Sequence, residues 1–241
     1  LKRTTDPQTV YKKQKFDRDD LVDITSFDVV SWVKSEMRMM LNEELARAIL
    51  VGDGRLSSSE DKIQESHVRP IFNDEDLYTI KVTVTTAEGA SDTDKAKAFI
   101  VAAIRSRKDY KGSGSPVLYT TEDMLTSMLL IEDTTGRTIY NDEAQLAKKL
   151  RVSAIVTVPV MEGAKGKNGG DLLGIIVNLS DYNVGADKGG AINMFDFDID
   201  YNQQKYLIET RISGALIKPY SAIAIEATTA STPGQDTDDG E

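Results

Sequence analysis

Apolar and polar residues alternate along the chain with two periods, which predict four helices interleaved with strands. The longest helix is predicted over residues 26–51, with Thr25 or Ser26 as its N-cap and Asp28 in its first turn. Gly52-Asp53-Gly54 predicts its end. At about 1.5 Å per residue this helix is a rod of roughly 40 Å. Its apolar positions recur at helical spacing: Val30, Val33, Met37, Met40, Leu41, Leu45, Ala48 and Ile49.

Shorter elements fill most of the remaining chain. Three more helices are predicted, from Ser91 or Asp92 to about Arg107, from Thr120 or Thr121 through Leu129, and over residues 141–150. Strands are predicted over residues 77–86, 116–119, 153–161, 172–179, 191–199, 205–217 and 221–227. The predicted helices and strands do not follow one another in regular strand–helix–strand units. The order therefore predicts an α+β fold with mixed or antiparallel sheets.

Both ends of the chain are polar. Residues 1–20 carry six Lys and Arg against four Asp, and residues 1–25 predict an extended arm that cannot form a core of its own. The arm must therefore lie on this subunit or on a neighbour. Residues 228–241 carry four acids and no base among Thr, Ser, Pro and Gly, and this composition predicts a disordered tail.

Composition excludes several classes of protein. The chain of 241 residues is long enough for a substantial core, and it contains no Cys, which excludes disulfides and thiolate zinc sites. Its formal charge of −10 argues against a dedicated nucleic-acid binder, whose affinity would come from clustered Lys and Arg. No apolar run approaches the ~20 residues that cross a bilayer, and no signal peptide opens the sequence.

Catalytic patterns are weak. The only His is His67, in a polar stretch, and we interpret it as structural or exposed. Ser-x-x-Lys spacing occurs twice, at Ser31/Lys34 and Ser59/Lys62, and two occurrences in one chain show how common the pattern is. No triad of nucleophile, base and acid is predicted.

Two acidic or glycine-rich stretches resemble ion-binding loops only in part. Asp196, Asp198 and Asp200 have the spacing that begins a calcium loop, but Tyr201 and Leu207 occupy the positions of its Gly and Glu. The alternation favours a strand with acids on one face. The loop 163–170 lacks the spacing and the final Ser or Thr of a phosphate-binding loop, so a surface loop is predicted.

Four segments in order resemble the major capsid proteins of tailed bacteriophages with the Hong Kong 97-type fold. The most specific is the helix of residues 29–55, VVSWVKSEMRMMLNEELARAILVGDGR, which is similar to the family's spine helix. The others are RTTDPQTVYKKQKFDRDDLVDI (3–24), PVLYTTEDMLTSMLLIEDTTGRTIY (116–140) and RISGALIKPYSAIAIE (211–226). The resemblance covers about residues 1–227.

The resemblance implies a division of the chain. Residues 1–25 would be the returning strand of an E-loop that lies across a neighbouring subunit, with Tyr11, Lys13 and Arg18 as interface candidates, and the outgoing strand would lie upstream. Residues 26–67 and 206–227 would form the peripheral domain. Residues 68–205 would form the axial domain, with loop 163–170 at its tip.

The resemblance also implies a function. The chain would be a structural protein without enzymatic activity or cofactor, and would self-assemble into the hexamers and pentamers of an icosahedral shell around double-stranded DNA. It would be made in the bacterial host cytoplasm and act in the virion, with portal and scaffolding proteins as partners and no membrane. Two alternatives remain open: an encapsulin-type nanocompartment shell protein, and a cytoplasmic protein that binds a metal through carboxylates such as Asp196, Asp198 and Asp200.

Some members of this family join subunits covalently, through a Lys and an Asn with a Glu seven residues after the Asn. Asn202 and Glu209 have this spacing. The resemblance makes them crosslink candidates, with the Lys upstream or among Lys2, Lys12, Lys13 and Lys15.

Overall fold

The computed structural model describes residues 3–18, 29–87, 89–167, 169–186 and 190–229. These residues form four α-helices, nine strands and short 3-10 turns at Ile71–Asn73, Pro159–Met161 and Leu179–Asp181. The predicted α+β class is confirmed. The chain divides into a first unit, residues 1–74 with 182–217, and a second unit, residues 75–181 with 218–241.

Helix α1 of the first unit spans Val29–Leu50. Val33, Met37, Leu41 and Ala48 are buried on one face, as the helical period predicts. Met40 is 43% exposed, so its assignment to the apolar face is wrong. A residue next to Leu41 lies about 100° around the helix, away from the sheet. The proposed caps Thr25 and Ser26, and Asp28, lie outside the described residues.

The end of α1 is fixed by a buried carboxylate between two glycines. Gly52 and Gly54 both adopt positive φ, which residues with a Cβ rarely adopt. Asp53 is 2% exposed and accepts a hydrogen bond from the Ile63 N–H at 3.2 Å. Arg55 lies 3.0 Å from Asp53 and 2.9 Å from Glu44 of the helix. Burial raises the pKa of Glu44.

The sheet of the first unit is built around one long strand, β8. The strands are β1 (Gln8–Asp17), β6 (Tyr182–Ala186), β7 (Ile192–Asp198) and β8 (Gln203–Leu216), and β8 pairs antiparallel with each of the others. Tyr206, Ile208 and Ile212 of β8 pack in one core with the buried face of α1. The helix therefore covers one face of β8.

Strand β1 lies on its own subunit, one of the two positions expected for the arm, and a further contact with a neighbouring subunit stays a prediction. All ten of its residues pair with β8 of the same chain. Val10 is 8% exposed in the core with α1, and the Phe16 ring lies edge-on to Tyr206 at 6.2 Å. The two apolar residues and the backbone ladder hold this segment on its own subunit.

The second unit contains a mixed five-stranded sheet in the order β2-β9-β5-β3-β4. Strands β2 and β9 run parallel, as do β3 and β4, whereas β5 is antiparallel to both β9 and β3. Ile175, Ile176 and Val177 of central β5 are fully buried. The strands span Thr79–Thr86 (β2), Val117–Thr120 (β3), Ile155–Thr157 (β4), Asp171–Val177 (β5) and Ala222–Thr229 (β9).

Three helices share a core with this sheet: α2 (Asp92–Ser106), α3 (Glu122–Leu129) and α4 (Glu143–Leu150). Ser91 and Thr121 cap α2 and α3 by accepting backbone N–H groups, as predicted. Phe99, Met128 and Leu146 are fully buried. Among the described residues, no helix is both long and apolar enough to cross a membrane.

The bounds of two predicted regions differ from the structure. The strand predicted over 153–161 ends at Thr157 and is followed by a 3-10 turn that starts at Pro159, because Pro has no N–H to offer a ladder. The structure places residues 182–198 with the first unit and β9 with the second. This division differs from the proposed peripheral (26–67, 206–227) and axial (68–205) domains.

A buried ion pair ties residue 3 to the first unit. The Arg3 guanidinium donates to both carboxylate oxygens of Asp74 and, at 2.6 Å, to the carbonyl oxygen of Leu216. The side chains of Arg3 and Asp74 are 10% and 2% exposed. Burial and the charge of Asp74 raise the pKa of nearby Tyr182.

We expect Arg3→Ala to lower the free energy of unfolding by about 3–5 kcal/mol, because it leaves the Asp74 carboxylate buried without its partner. Urea denaturation followed by circular dichroism measures the loss. The control is Arg3→Ala combined with Asp74→Asn, which removes the charge as well and should cost less than the single change. An equal or larger loss in the double variant would contradict the role of the unpaired charge.

Candidate functional site

The residues considered for nucleophilic chemistry have other partners. His67 Nδ1 lies 2.7 Å from the carbonyl oxygen of Asp6. The Lys62 ammonium donates to the carbonyl oxygen of Arg55 at 2.7 Å, and the Lys34 ammonium lies 5.5 Å from the ring centre of Phe195. Each contact is structural, and none joins a Ser to the Lys three residues after it.

The acidic repeat lies on and after a strand. Asp196 and Asp198 belong to β7, which confirms the strand interpretation for these two residues. Asp198 forms an ion pair with Lys205 of β8, and the hydrogen bond from Lys205 lowers the pKa of Asp198. Asp200 follows the strand, and its N–H lies 3.3 Å from Asp198 Oδ1. Within the described parts of the chain, no group of three His, Cys, Asp or Glu could hold a metal ion.

The loop 163–170 closes by its own backbone hydrogen bonds. The Gly166 N–H donates to the Gly170 carbonyl oxygen at 2.7 Å. A Cβ at position 166 would lie 1.8 Å from a carboxylate oxygen of buried Glu226. Gly166 is therefore required for close packing of the loop on β9. Lys167 lies 3.6 Å from Asp76, in a surface ion pair.

The most unusual surface lies on β1, β7 and β8, which we name the arm sheet. Large apolar side chains are exposed on and after β7: Phe195 is 73% exposed, Ile199 83% and Tyr201 71%. Ile192 and Met194 are 52% and 45% exposed. Soluble monomers rarely expose so many large apolar side chains along one short segment, and such exposure often marks an interaction surface.

The interface candidates lie together on this sheet. Tyr11 is 52% exposed and pairs with Glu209, and exposed Lys13 pairs with Leu207. The Arg18 N–H donates to the carbonyl oxygen of Asn202 at 3.2 Å, where β8 begins. Their position on the surface agrees with a contact role, which stays a prediction.

Asn202 and Glu209 lie at opposite ends of one extended segment. Asn202 is exposed with positive φ, just before β8, and Glu209 is half-buried within the strand. At about 3.3 Å per residue, seven residues of strand separate them by roughly 20 Å. Glu209 therefore cannot act on Asn202 of its own chain, and a link between these groups would need residues from different subunits.

Sequence reasoning missed how exposed β7 is. Alternation of Asp with Phe and Ile predicted a strand with acids on one face and apolar groups on the other, but it did not indicate that Ile192, Phe195 and Phe197 are all exposed. One signal in the sequence could have indicated this exposure. The two-residue period predicts the strand, but no element nearby in the chain is predicted to cover it.

A model of the phage capsid family matches residues 2–226. The chain belongs to the phage capsid family. As a capsid protein it has a building role, and this agrees with an exposed arm sheet and with the structural contacts that His67, Lys34 and Lys62 make. No curated protein is similar enough in sequence to count as a match.

Solved structures of the same fold are distant in sequence. A chain of Mycobacterium phage Adephagia is 13% identical with a TM-score of 0.59, and covers 95% of this capsid protein and 73% of its own length. The capsid of an empty GTA particle is 12% identical with a TM-score of 0.62, covering 92% and 74%. A virus-like particle from Pyrococcus furiosus is 13% identical with a TM-score of 0.57, covering 91% and 77%. At these identities the likeness shows the fold.

We expect Ile199→Ser combined with Tyr201→Ser to weaken self-association while the free energy of unfolding changes by less than about 0.5 kcal/mol, because both side chains are exposed in the single chain. Sedimentation velocity measures association, and urea denaturation measures stability. The control is Leu56→Ser, another exposed apolar residue of the first unit, at 79%. Unchanged association in the double variant would contradict the assignment of this surface.

The crosslink hypothesis predicts a ladder of covalent multimers when assembled particles are boiled in detergent and run on a denaturing gel. Asn202→Ala should remove the ladder because it removes the acceptor amide, and Glu209→Gln should slow its appearance. Wild-type particles that give only monomer would contradict the hypothesis without affecting the family assignment.

Proposed function

We propose that this capsid protein is the major head protein of a tailed phage or prophage, and that it forms the hexamers and pentamers of an icosahedral shell around double-stranded DNA. The match of the family model over residues 2–226 carries the proposal. The exposed apolar side chains of the arm sheet support it, because burial against neighbouring copies would remove them from water.

A building role without catalysis fits the contacts described above. The residues considered for nucleophilic chemistry are engaged in structural contacts, and Asp198 is neutralised by Lys205. We propose that the protein has no enzymatic activity and needs no cofactor. Portal and scaffolding proteins are its expected partners during assembly in the host cytoplasm, and the virion capsid is its expected final location.

An encapsulin-type compartment is the second candidate, and the likeness to the virus-like particle from Pyrococcus furiosus favours it. The two candidates differ in contents, since one encloses DNA and the other protein cargo. The family match favours the phage shell.

The complete gene, expressed with its scaffolding protein, should yield closed shells or flat hexamer sheets and tubes by negative-stain electron microscopy. DNA protected from nuclease inside particles purified from the phage or induced prophage would separate the phage shell from the compartment. Discrete small oligomers of the folded protein, with scaffold present, would overturn the proposal.

A further inference from the structure

The Lys and Arg of the second unit fall into two groups. Its described residues include fourteen of them. Five form ion pairs with Asp side chains: Lys81, Lys95, Lys97, Lys165 and Lys167. Eight others lie at the C-terminal ends of α2 and α4, in the loop after α2, and just before β9. We name these eight the basic face: Arg105, Arg107, Lys108, Lys111, Lys148, Lys149, Arg151 and Lys218.

Few acids lie near the basic face. Lys108 Nζ is 3.9 Å from Asp109, and no other residue of the basic face forms an ion pair within the described residues. Asp181 is 3% exposed, and its carboxylate accepts the Ser113 N–H at 2.6 Å, so it is held inside the unit by the loop after α2. The basic face therefore presents a large excess of positive charge to solvent.

Direct contacts join the parts of the basic face. Arg107 Nη2 donates to the Arg151 carbonyl oxygen at 3.2 Å, which brings the ends of α2 and α4 together. The Lys218 ammonium donates to Ser113 Oγ at 3.2 Å, which places the residues before β9 against the loop after α2. Arg107 and Lys218 are half-buried by these contacts, whereas the other six cations are exposed. The basic face is therefore one connected surface.

Helix electrostatics explain only part of this arrangement. A base in the last turn of a helix is stabilised by the helix dipole, which accounts for Arg105, Lys148 and Lys149. Lys111 and Lys218 lie outside the helices, and no dipole favours them. Cations that are close together repel one another, so a partner that supplies several negative charges would stabilise all of them at once.

The residue types favour DNA over protein as that partner. Interfaces between proteins have an apolar centre and few Lys, whereas five of the eight bases here are Lys. The nearby rings of Tyr110 and Tyr220 lie under cations, with Arg107 Cζ 4.5 Å and Lys111 Nζ 5.1 Å from the ring centres. Protein–DNA interfaces are more polar and far more positive. Duplex DNA also offers a closely spaced row of phosphates, about one negative charge per 1.7 Å of its axis.

We propose that the basic face binds the phosphate backbone of duplex DNA without reading its sequence. The identity of the partner rests on the proposed function, in which the shell encloses double-stranded DNA, and the inference deepens that function by naming the surface that meets the DNA. The formal charge of −10 does not oppose this contact, because binding depends on the charges near the phosphates and not on their sum over the chain.

Salt-dependent binding tests the assignment. The complete protein in its unassembled form should bind a fluorescently labelled duplex of about 30 base pairs, measured by fluorescence anisotropy, and the affinity should fall as salt rises. A duplex of shuffled sequence should bind equally well, because phosphate contacts carry no sequence information.

Alanine changes locate the contact. Lys148→Ala with Lys149→Ala should weaken binding roughly tenfold at low salt and reduce the slope of log Kd against log salt by about two, one for each lost phosphate contact. The matched control is Lys12→Ala with Lys13→Ala, which removes two adjacent exposed Lys of the first unit and changes the net charge equally. The control should leave affinity and slope unchanged. Circular dichroism checks folding, and if the first pair fails to fold, Lys108→Ala should reduce the slope by about one.

The outcomes separate this contact from the proposed function. No binding by the wild-type protein at about 50 mM salt, or an equal loss in the pair and its control, would overturn the basic face as a DNA site. Polyglutamate that binds as tightly as the duplex would show a docking surface for acidic protein and overturn the choice of DNA. If shells form but DNA does not bind, the contact fails and the function stands. If DNA binds through the basic face but no shells form with scaffold present, the proposed function fails and the contact stands.

Discussion

Strand β8 is the element on which the rest of the first unit depends. It is fourteen residues long, and it is paired with β1 over residues 203–212 on one side and with β7 and then β6 on the other. Its alternate side chains form one wall of the core with α1. Because β8 is paired on both sides, β1 and β7 are the outer strands of this sheet within the described residues. Their outer position is therefore a consequence of which strand is central.

Net charge alone conceals this arrangement. The chain has a formal charge of −10, which suggests an acidic surface throughout. The structure separates the charges within one sheet, with bases along β1 and acids on and after β7. Only the antiparallel register shows that Lys15 and Asp196 flank the same residue, Lys205. Their placement, not the sum, decides the local charge that each side of the sheet presents.

The sequence predicts the elements that local apolar spacing and capping residues determine. It does not predict the elements that depend on pairing with distant segments. Helices α1 and α2 follow from apolar spacing, and Thr121 is the predicted cap of α3. Strand β6 was not predicted, because Asn183 and Gly185 are residues typical of turns. Its pairing with β8 stabilises an extended conformation that these residues do not favour by themselves. Central β9 pairs with β2, some 140 residues earlier, and no local pattern indicates that partner. The exposure of β7 was missed for a related reason, since a period of two shows a strand but not what covers it.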